Sequence, residues 1–203
     1  MLVIAHRGAS WDLPENTLPA FERAIEIGAD YVELDVHANR EGELVVTHEP
    51  PPANPRNNVL LGEVLELCRG RIGVMVELKT PYRYRRFDVV RRTVALLDDD
   101  AVVLCFQRRP LEQARRLRPG LRTMQHVGFG VSIRRAAGAW AAGFENSRVT
   151  PRALARARQL GLETAVYTVN EPARMLELER LGVGGIFTDR PDLARRTLAR
   201  PSG

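Results

Sequence analysis

A short apolar run followed by a segment of helical periodicity recurs along the 203-residue chain, giving eight strand-then-helix units of about 25 residues each. Parallel strands need a crossover connection, usually a helix, and a unit of this length is sufficient for one. Eight consecutive units predict an α/β fold whose strands close into a single (β/α)8 TIM barrel. An open, doubly wound sheet is the alternative.

The limits of these units follow from their apolar periodicity and from helix start and stop signals. The predicted strands are Leu2–Ala5, a strand that begins at Tyr31, Ile72–Leu78, Ala101–Phe106, Leu121–Gln125, Ala142–Asn146, Glu163–Val169 and Gly185–Thr188. The predicted helices are one that Asn16 or Thr17 caps and Gly28 ends, Leu61–Arg69, Phe87–Leu97, Leu111–Leu117, a weaker Val131–Gly138, Pro151–Leu160, Pro172–Leu181 and Asp192–Ala199.

The chain is close to the lower length limit of a TIM barrel, which is about 200 residues. We therefore predict one domain over residues 1–203, in a minimal form of the fold that has no room for a sizeable inserted subdomain. The proline-rich segment Glu49–Pro55 suits neither a helix nor a central strand, and it predicts a short, stiff loop.

Charge and apolar content limit the expected partners. No apolar run approaches the roughly 18 residues of a membrane span, so we expect no stable membrane insertion. The opening MLVIAH lacks the pattern of a secretory signal, which favours a cytoplasmic protein. The net charge is +5, but the arginines are spread over different predicted segments. We interpret them as solvated helix surface and expect no nucleic-acid partner. The oligomeric state is left open.

The stretch Tyr31–His48 concentrates polar side chains on one strand and its return. Because successive strand residues point to opposite faces, Glu33, Asp35 and His37 share one face. Carboxylates and an imidazole are costly to bury unless something compensates them, and a bound cation is the simplest compensation. The polar tract HANREGE after Val36 turns the chain, and the apolar residues Leu44–Val46 bring it back, so we expect His48 at the mouth of the same pocket.

A second predicted strand, Ile72–Leu78, brings further polar groups, because Glu77 and Lys79 share one face at its end. Active sites of TIM barrels lie at the carboxyl ends of the strands, so we expect Glu77 beside Glu33 and Asp35. Three carboxylates favour one hard divalent cation, either Mg²⁺ or Ca²⁺, with Mn²⁺ as a third option. An ion pair between Glu77 and Lys79 is the alternative use of that carboxylate.

Two histidines lie where acid and base catalysts would be needed. His6 follows the first predicted strand and His48 follows the return of the second. Imidazole is the side chain whose ordinary pKa lies nearest neutrality, which suits proton transfer. Arg7, beside His6, offers a planar, two-pronged partner for a phosphate or carboxylate. A cation, an arginine and two histidines suit the cleavage of a phosphoester.

Seven short motifs occur in order along nearly the entire chain. They are HRG at His6–Gly8, PENT at Pro14–Thr17, ELDV at Glu33–Val36, GELVVTH ending at His48, ELK at Glu77–Lys79, YTVN at Tyr167–Asn170 and TDRP at Thr188–Pro191. The ordered set resembles the glycerophosphodiester phosphodiesterase family. The resemblance implies a TIM barrel that hydrolyses a small-molecule glycerophosphodiester to glycerol 3-phosphate and an alcohol.

The same resemblance implies a role for each conspicuous polar residue. The residues implied to bind the divalent cation are Glu33, Asp35 and Glu77. The implied general acid and base are His6 and His48. The residues implied to bind substrate are Arg7, Lys79 and Tyr167.

The chain departs from the family pattern at three places. Glu49 follows the second histidine where the family usually has aspartate, and Tyr167 replaces a tryptophan. Bacterial members commonly insert a small subdomain after that histidine, and the loop Glu49–Asn58 is far too short for one. Because the subdomain covers one side of the site, its absence leaves head-group selectivity open.

Two other functions are compatible with the same barrel. One is a phospholipase-like relative that acts on lysophospholipids at a membrane. The other is a catalytically silent barrel that only binds phosphorylated ligands. Loss of a histidine or a carboxylate would favour the silent barrel, and the chain retains all of them.

Overall fold

The computed structural model describes residues 1–51, 59–128 and 130–199. Within these ranges the strands are β1 (Leu2–His6), β2 (Tyr31–Ala38), β3 (Leu44–Val46), β4 (Val59–Leu60), β5 (Gly73–Leu78), β6 (Val102–Cys105), β7 (Arg122–Val127), β8 (Ala141–Glu145), β9 (Glu163–Tyr167) and β10 (Gly185–Thr188). Eight of them pair in parallel, and β1 closes the ring by pairing with both β2 and β10. The predicted TIM barrel is confirmed.

The two remaining strands, β3 and β4, lie outside the closed ring and continue the sheet from the carboxyl end of β2. β3 pairs antiparallel with β2, matching Val46 to Val36, and β4 pairs antiparallel with β3. The return of the chain after β2, which the sequence predicts, is therefore a hairpin. It brings the backbone back to His48 at the carboxyl ends of the barrel strands.

Helices cover the outside of the barrel. The α-helices are α1 (Leu18–Ile27), α2 (Leu61–Cys68), α3 (Val89–Leu96), α4 (Arg108–Leu117), α5 (Pro151–Gln159), α6 (Pro172–Arg180) and α7 (Pro191–Leu198). Three short 3₁₀ segments are Pro81–Phe87, Ile133–Ala136 and Asn146–Arg148. None of the described helices is long and apolar enough to span a bilayer.

The start of α1 separates two residues that the sequence offers as alternative caps. Thr17 is the cap, and its hydroxyl oxygen accepts a hydrogen bond from the Ala20 N–H. Asn16 is instead buried beneath the loop. The helix ends as predicted at Gly28, whose backbone is left-handed with a φ of 78°.

The predicted helix Phe87–Leu97 is divided in the structure. A 3₁₀ segment runs through Phe87, and α3 begins only at Val89. Asp88 lies between them with a left-handed φ of 44°, and its carboxylate accepts a hydrogen bond from the Arg91 N–H. This aspartate therefore breaks the first segment and caps the second.

The weak helix predicted over Val131–Gly138 is reduced to the 3₁₀ turn Ile133–Ala136. Glycines on either side, Gly130 and Gly138, both have a φ of 82°, which ends regular helical geometry at each side of the turn. Among its described residues, the crossover between β7 and β8 consequently contains no α-helix. The predicted stiff loop Glu49–Pro55 lies mostly outside the described residues.

The barrel interior is filled below the site by apolar side chains from all around the ring. They are Ile4, Met75, Val102, Leu104, Met124, Ala141, Ala165 and Phe187. Met75 and Glu77 point to the same side of β5, because they are two residues apart on one strand. The polar site therefore lies directly above a packed apolar floor, at the carboxyl ends of the strands.

Candidate active site

Strand register brings three carboxylates together at the top of the barrel. Asp35 on β2 lies beside Glu77 on β5, and Glu33 is two residues earlier on the face that Asp35 shares. One oxygen from each of the three side chains lies within 4.8 Å of the other two. All three residues are buried, with exposed fractions of 2%, 0% and 8% for Glu33, Asp35 and Glu77.

The three carboxylates differ in how easily they ionise. Burial raises the pKa of Glu33 well above its ordinary value, and the charges of Asp35 and Glu77 raise it further. Burial also raises the pKa of Glu77, although Lys79 opposes the shift. For Asp35, burial by itself would raise the pKa, but a hydrogen bond from His48 and the charge of Lys79 hold it well below its ordinary value.

Two cations contact this cluster directly. Lys79 Nζ lies 3.1 Å from Asp35 Oδ1 and 3.1 Å from Glu77 Oε1, so the ion pair considered as the alternative for Glu77 is present. Arg7 Nε lies 2.9 Å from Asp35 Oδ2. Three carboxylates still outnumber two cations, and an excess negative charge among buried groups is costly.

The donor set fits a hard divalent cation. Its donors are buried carboxylate oxygens from neighbouring strands, and burial, followed by the charges of Asp35 and Glu77, raises the pKa of Glu33 despite the opposing charges of Lys79 and Arg7. Oxygen donors are the ligands that Mg²⁺ and Ca²⁺ prefer. The chemistry of the cluster therefore supports a divalent metal site, and it does not discriminate among Mg²⁺, Ca²⁺ and Mn²⁺.

His6 is held by an acidic residue from the last strand. Its Nδ1 donates a hydrogen bond to Asp189 Oδ1 at 2.7 Å. Asn170 Nδ2 and Ser10 Oγ donate to the same carboxylate, at 2.6 and 3.2 Å. The ring is therefore fixed with its proton on Nδ1, which leaves Nε2 as the atom that can exchange a proton with substrate.

His48 is held in the same way by a different carboxylate. Its Nδ1 lies 3.2 Å from Asp35 Oδ2 and donates to it. Its Nε2 lies 3.5 Å from Arg7 Nη2 and 3.8 Å from Glu49 Oε1. Both predicted acid–base histidines thus present Nε2 for proton transfer while an aspartate binds Nδ1.

The loop after β1 positions the backbone and the side chain of Arg7 against the carboxylate cluster. Arg7 has a left-handed φ of 58°, and its N–H donates to Glu33 Oε2 at 3.1 Å. The next residue, Gly8, has a φ of 87°, and a Cβ there would lie 2.7 Å from the Ala20 backbone. The guanidinium also pairs with Glu15 at 2.7 Å, so Arg7 is aimed at the site by two carboxylates.

Aromatic rings form one wall of the site. A cavity of about 240 Å³ opens between this wall and the carboxylates. Tyr167 lies edge to face with His126, with ring centroids 4.6 Å apart, and Phe106 packs against both rings, with its centroid 4.8 Å from that of His126 and 6.1 Å from that of Tyr167. The cavity is lined by His6, Arg7, Glu33, His48, Glu77, Lys79, Phe106, His126, Tyr167, Thr168 and Phe187.

His37 lies on the face that it shares with Glu33 and Asp35, but it contacts the loops rather than the carboxylate cluster. Its Nε2 donates to the His48 carbonyl at 3.1 Å, and its Nδ1 lies 2.9 Å from the Tyr84 hydroxyl. Burial lowers the pKa of His37, so the ring is neutral near pH 7. It ties the segment that carries His48 to the loop after β5.

Four residues of the site were not predicted from the sequence to belong to it. Asp189 and Asn170 hold His6, and Asn16 Nδ2 donates to Asp35 Oδ2 at 3.0 Å. His126, which the sequence presents as an isolated histidine, lines the cavity and lies 3.8 Å from Glu77. Burial lowers its pKa to about 3, so it is uncharged. Three of the four lie within the PENT, YTVN and TDRP motifs, which were the available signal.

Comparison with known proteins identifies the family. The sequence model of the Glycerophosphoryl diester phosphodiesterase family matches residues 6–54 and 71–193, which include every residue of the site described above. A glycerophosphodiester phosphodiesterase of Bacillus subtilis is 26% identical over 250 residues, covering 95% of this chain and 85% of that protein.

Solved structures agree with this assignment. A glycerophosphodiester phosphodiesterase from Parabacteroides distasonis superimposes with a TM-score of 0.84 at 25% identity, covering 97% of this chain and 96% of that one. The fold is also shared with an Oleispira antarctica phosphodiesterase, solved in complex with the product sn-glycerol-3-phosphate, at a TM-score of 0.86 and 20% identity over 98% and 97% of the two chains. The chain therefore belongs to the glycerophosphoryl diester phosphodiesterase family, a class of phosphoric diester hydrolases.

Proposed function

We propose that this protein hydrolyses glycerophosphodiesters to glycerol 3-phosphate and an alcohol at the site formed by β1, β2, β5 and β10. One observation carries the proposal. A cluster of three buried carboxylates lies at a cavity that His6 and His48 also line, and an aspartate orients each histidine through Nδ1. The product bound to the Oleispira antarctica phosphodiesterase supports extending glycerol 3-phosphate to this chain.

In this proposal Glu33, Asp35 and Glu77 hold one divalent cation, which is Mg²⁺, Ca²⁺ or Mn²⁺. Such a cation, when bound, supplies positive charge to the non-bridging oxygens of the phosphate. Lys79 then keeps its contacts with Asp35 and Glu77 at the edge of the cluster and presents its ammonium group to substrate oxygens. Arg7 binds the phosphate through Nη2, the guanidinium nitrogen nearest to His48.

The histidines carry the proton transfers. The Nε2 of one accepts a proton from the nucleophile, which is either water or the neighbouring 2-hydroxyl of the glycerol. The Nε2 of the other donates a proton to the oxygen of the leaving alcohol. Attack by the 2-hydroxyl gives a cyclic phosphate, which a second step opens to glycerol 3-phosphate. In that step the histidine that gave up its proton accepts one from water, and the other histidine returns its proton to the 2-oxygen. Asp189 and Asp35 stabilise the imidazolium that forms at His6 or at His48, as an aspartate does for a catalytic histidine. Tyr167 offers its ring as an aromatic wall for the apolar part of the substrate.

The proposal is tested with purified protein and a panel of glycerophosphodiesters that differ in head group, each supplied with Mg²⁺, Ca²⁺ or Mn²⁺. We expect release of glycerol 3-phosphate with at least one metal, and loss of release in the His6→Gln and His48→Gln variants. Circular dichroism confirms that the variants are folded. Calorimetric binding without release of product would support the silent barrel instead, and turnover restricted to lysophospholipids would support the phospholipase-like relative.

A further inference from the structure

Two aromatic side chains stay exposed on the face of the barrel where the site opens. Trp11, in the loop after β1, is 61% exposed, and Tyr82, in the loop after β5, is 48% exposed. These two strands flank β2, so the two loops stand on either side of the carboxylate cluster. A single exposed aromatic residue is ordinary. Two on the rim of one site give that face an apolar component on both sides of the cavity mouth.

The loop that carries Tyr82 also carries exposed arginines that make no ion pair within the described residues. The segment Tyr82–Phe87 contains three arginines and no acidic residue. Arg83 and Arg85 are exposed, and neither makes an ion pair within the described part of the chain. Arginines on the outside of the barrel are often paired, as Arg71 is with Glu22 at 2.6 Å.

The same pattern continues around the rim. Arg190, in the loop after β10, stacks over the Trp11 ring with its guanidinium carbon 4.6 Å from the ring centre. Arg40, at the turn between β2 and β3, is exposed. Since β10, β1, β2 and β5 are consecutive in the barrel, these loops form one continuous arc.

We propose that this aromatic–arginine rim, consisting of Trp11, Arg40, Tyr82, Arg83, Arg85 and Arg190, docks the protein on an anionic lipid surface. Tryptophan and tyrosine favour the boundary between lipid and water because their rings are apolar and carry one polar group. An anionic surface attracts arginines that have no carboxylate partner in the protein. Docking in this orientation places the mouth of the site against the lipid.

The preference for lipid over nucleic acid rests on the proposed function. Glycerophosphodiesters share the glycerol phosphodiester group of phospholipid head groups, so a lipid surface is where such groups are concentrated. A nucleic acid would also be attracted by arginines and aromatic rings. Binding of an oligonucleotide is therefore measured as a competing outcome.

The two tryptophans give a matched pair of reporters. Trp11 lies on the rim, and Trp140 lies at the opposite end of the barrel, directly before β8. The Trp140→Phe variant reports on Trp11 alone, and the Trp11→Phe variant reports on Trp140 alone. With vesicles of phosphatidylcholine and phosphatidylglycerol, we expect a blue shift of fluorescence and quenching by brominated lipid in Trp140→Phe protein only. An unshifted Trp140→Phe protein, or an equal shift in both proteins, would overturn the proposal.

The charge component is tested with two double variants of equal charge change. Arg83→Gln/Arg85→Gln alters the rim, and Arg116→Gln/Arg180→Gln alters exposed positions in the last turns of α4 and α6, at the opposite end of the barrel. Sedimentation with anionic vesicles is expected to show about tenfold weaker partitioning for the first variant and less than twofold for the second. Equal losses, equal binding to pure phosphatidylcholine, or tighter binding to an oligonucleotide than to vesicles would reject lipid docking.

Catalysis is measured separately so that failure of docking and failure of the proposed reaction are distinguishable. Both double variants are expected to turn over a soluble glycerophosphodiester at the wild-type rate, because none of the four arginines lines the cavity. A protein that turns over soluble substrate without binding vesicles refutes docking alone. A protein that binds vesicles without turnover refutes the reaction alone.

Discussion

His6 Nδ1 and Asp189 Oδ1 lie 2.7 Å apart although 183 residues separate them in the chain. The parallel pairing of β1 with β10 causes this contact, because Ala5 is in register with Thr188. His6 and Asp189 are the residues that come directly after this pair. Closure of the barrel thus completes the pair of His6 and Asp189, to which we assign a proton transfer in the proposed function. The first and the last strand each contribute half of it.

Replacement of Asp189 by asparagine is expected to lower kcat by about 10²- to 10⁴-fold. Asparagine has similar size, but it neither accepts a charge-assisted hydrogen bond from Nδ1–H nor stabilises the imidazolium. The rate of glycerol 3-phosphate release gives kcat. KM is expected to change much less, because Asp189 does not line the cavity.

The matched control is Asp192→Asn, in the first turn of α7, where the carboxylate pairs with Arg196. This variant is expected to keep kcat within twofold of wild type. If both aspartate variants lost activity equally, the effect would be a general one on the loop after β10, and the role of Asp189 in orienting His6 would be refuted.

The Asp189 pKa also predicts how stability depends on pH. Burial by itself would raise this pKa, but hydrogen bonds from His6 and Asn170 outweigh it and hold the pKa below its ordinary value. The resulting stabilisation is fully present above the unfolded pKa of about 3.9 and is lost as pH falls through the folded pKa. The difference in melting temperature between wild type and Asp189→Asn should therefore shrink from pH 6 to pH 3. A difference in melting temperature that stays constant over this pH range would contradict this.

Metal binding is expected to appear in stability as well as in activity. A cation present at 100 times its Kd stabilises the folded protein by about 2.7 kcal/mol, which raises the melting temperature. Glu33→Gln should reduce this metal-induced shift. The same variant should raise the melting temperature of the metal-free protein, because burial and neighbouring charges already raise the pKa of Glu33 and make its ionised form costly.

The control for the metal experiment is Glu66→Gln, which removes an exposed carboxylate on α2. Its metal-induced shift should equal that of wild type. A wild-type shift retained in Glu33→Gln would show that the cation binds elsewhere. Chelation followed by addition of Mg²⁺, Ca²⁺ or Mn²⁺ then identifies the ion that gives the largest shift.

Asn16 is expected to stabilise the site through both its side chain and its backbone. It is buried, has a left-handed φ of 58°, and forms two hydrogen bonds with Asp35. Asn16→Gly keeps the backbone geometry and should lose about 1–3 kcal/mol of unfolding free energy. Asn16→Ala should lose about 1–2 kcal/mol more, because alanine is strained in the left-handed region. Urea unfolding measures the order, and an alanine variant as stable as the glycine variant would contradict it.

The parts of the site that the sequence predicts are those set by local geometry. Alternation along a strand places Glu33 with Asp35 and places Glu77 with Lys79, and no long-range information is needed for this. The hairpin that returns His48 is equally local. The fold itself follows from the count of units, because eight parallel strands with crossover helices close into a ring.

The parts that the sequence does not predict depend on contacts between distant segments. The partner of His6 depends on which residues β1 and β10 place side by side when the ring closes. The burial of Asn16 depends on the left-handed backbone at that residue, and the division of the helix before α3 depends on the left-handed backbone at Asp88. The rim around Tyr82 is recognised only when loops that are far apart in sequence lie on one face.

The roles of the two histidines can be separated with a substrate whose leaving group needs no protonation. In a diester of glycerol phosphate and p-nitrophenol, the leaving group is the stable p-nitrophenolate anion. The general acid is therefore unnecessary for its departure, while the general base is still required. Among His6→Gln and His48→Gln, we expect one variant to recover most of its lost rate on this substrate and the other to stay impaired. The recovered variant lacks the acid. Release of p-nitrophenolate gives the rate. The Asp189→Asn variant should behave like His6→Gln, because the carboxylate of Asp189 acts through the His6 ring. Recovery of both histidine variants, or of neither, would contradict the division of labour between the two rings.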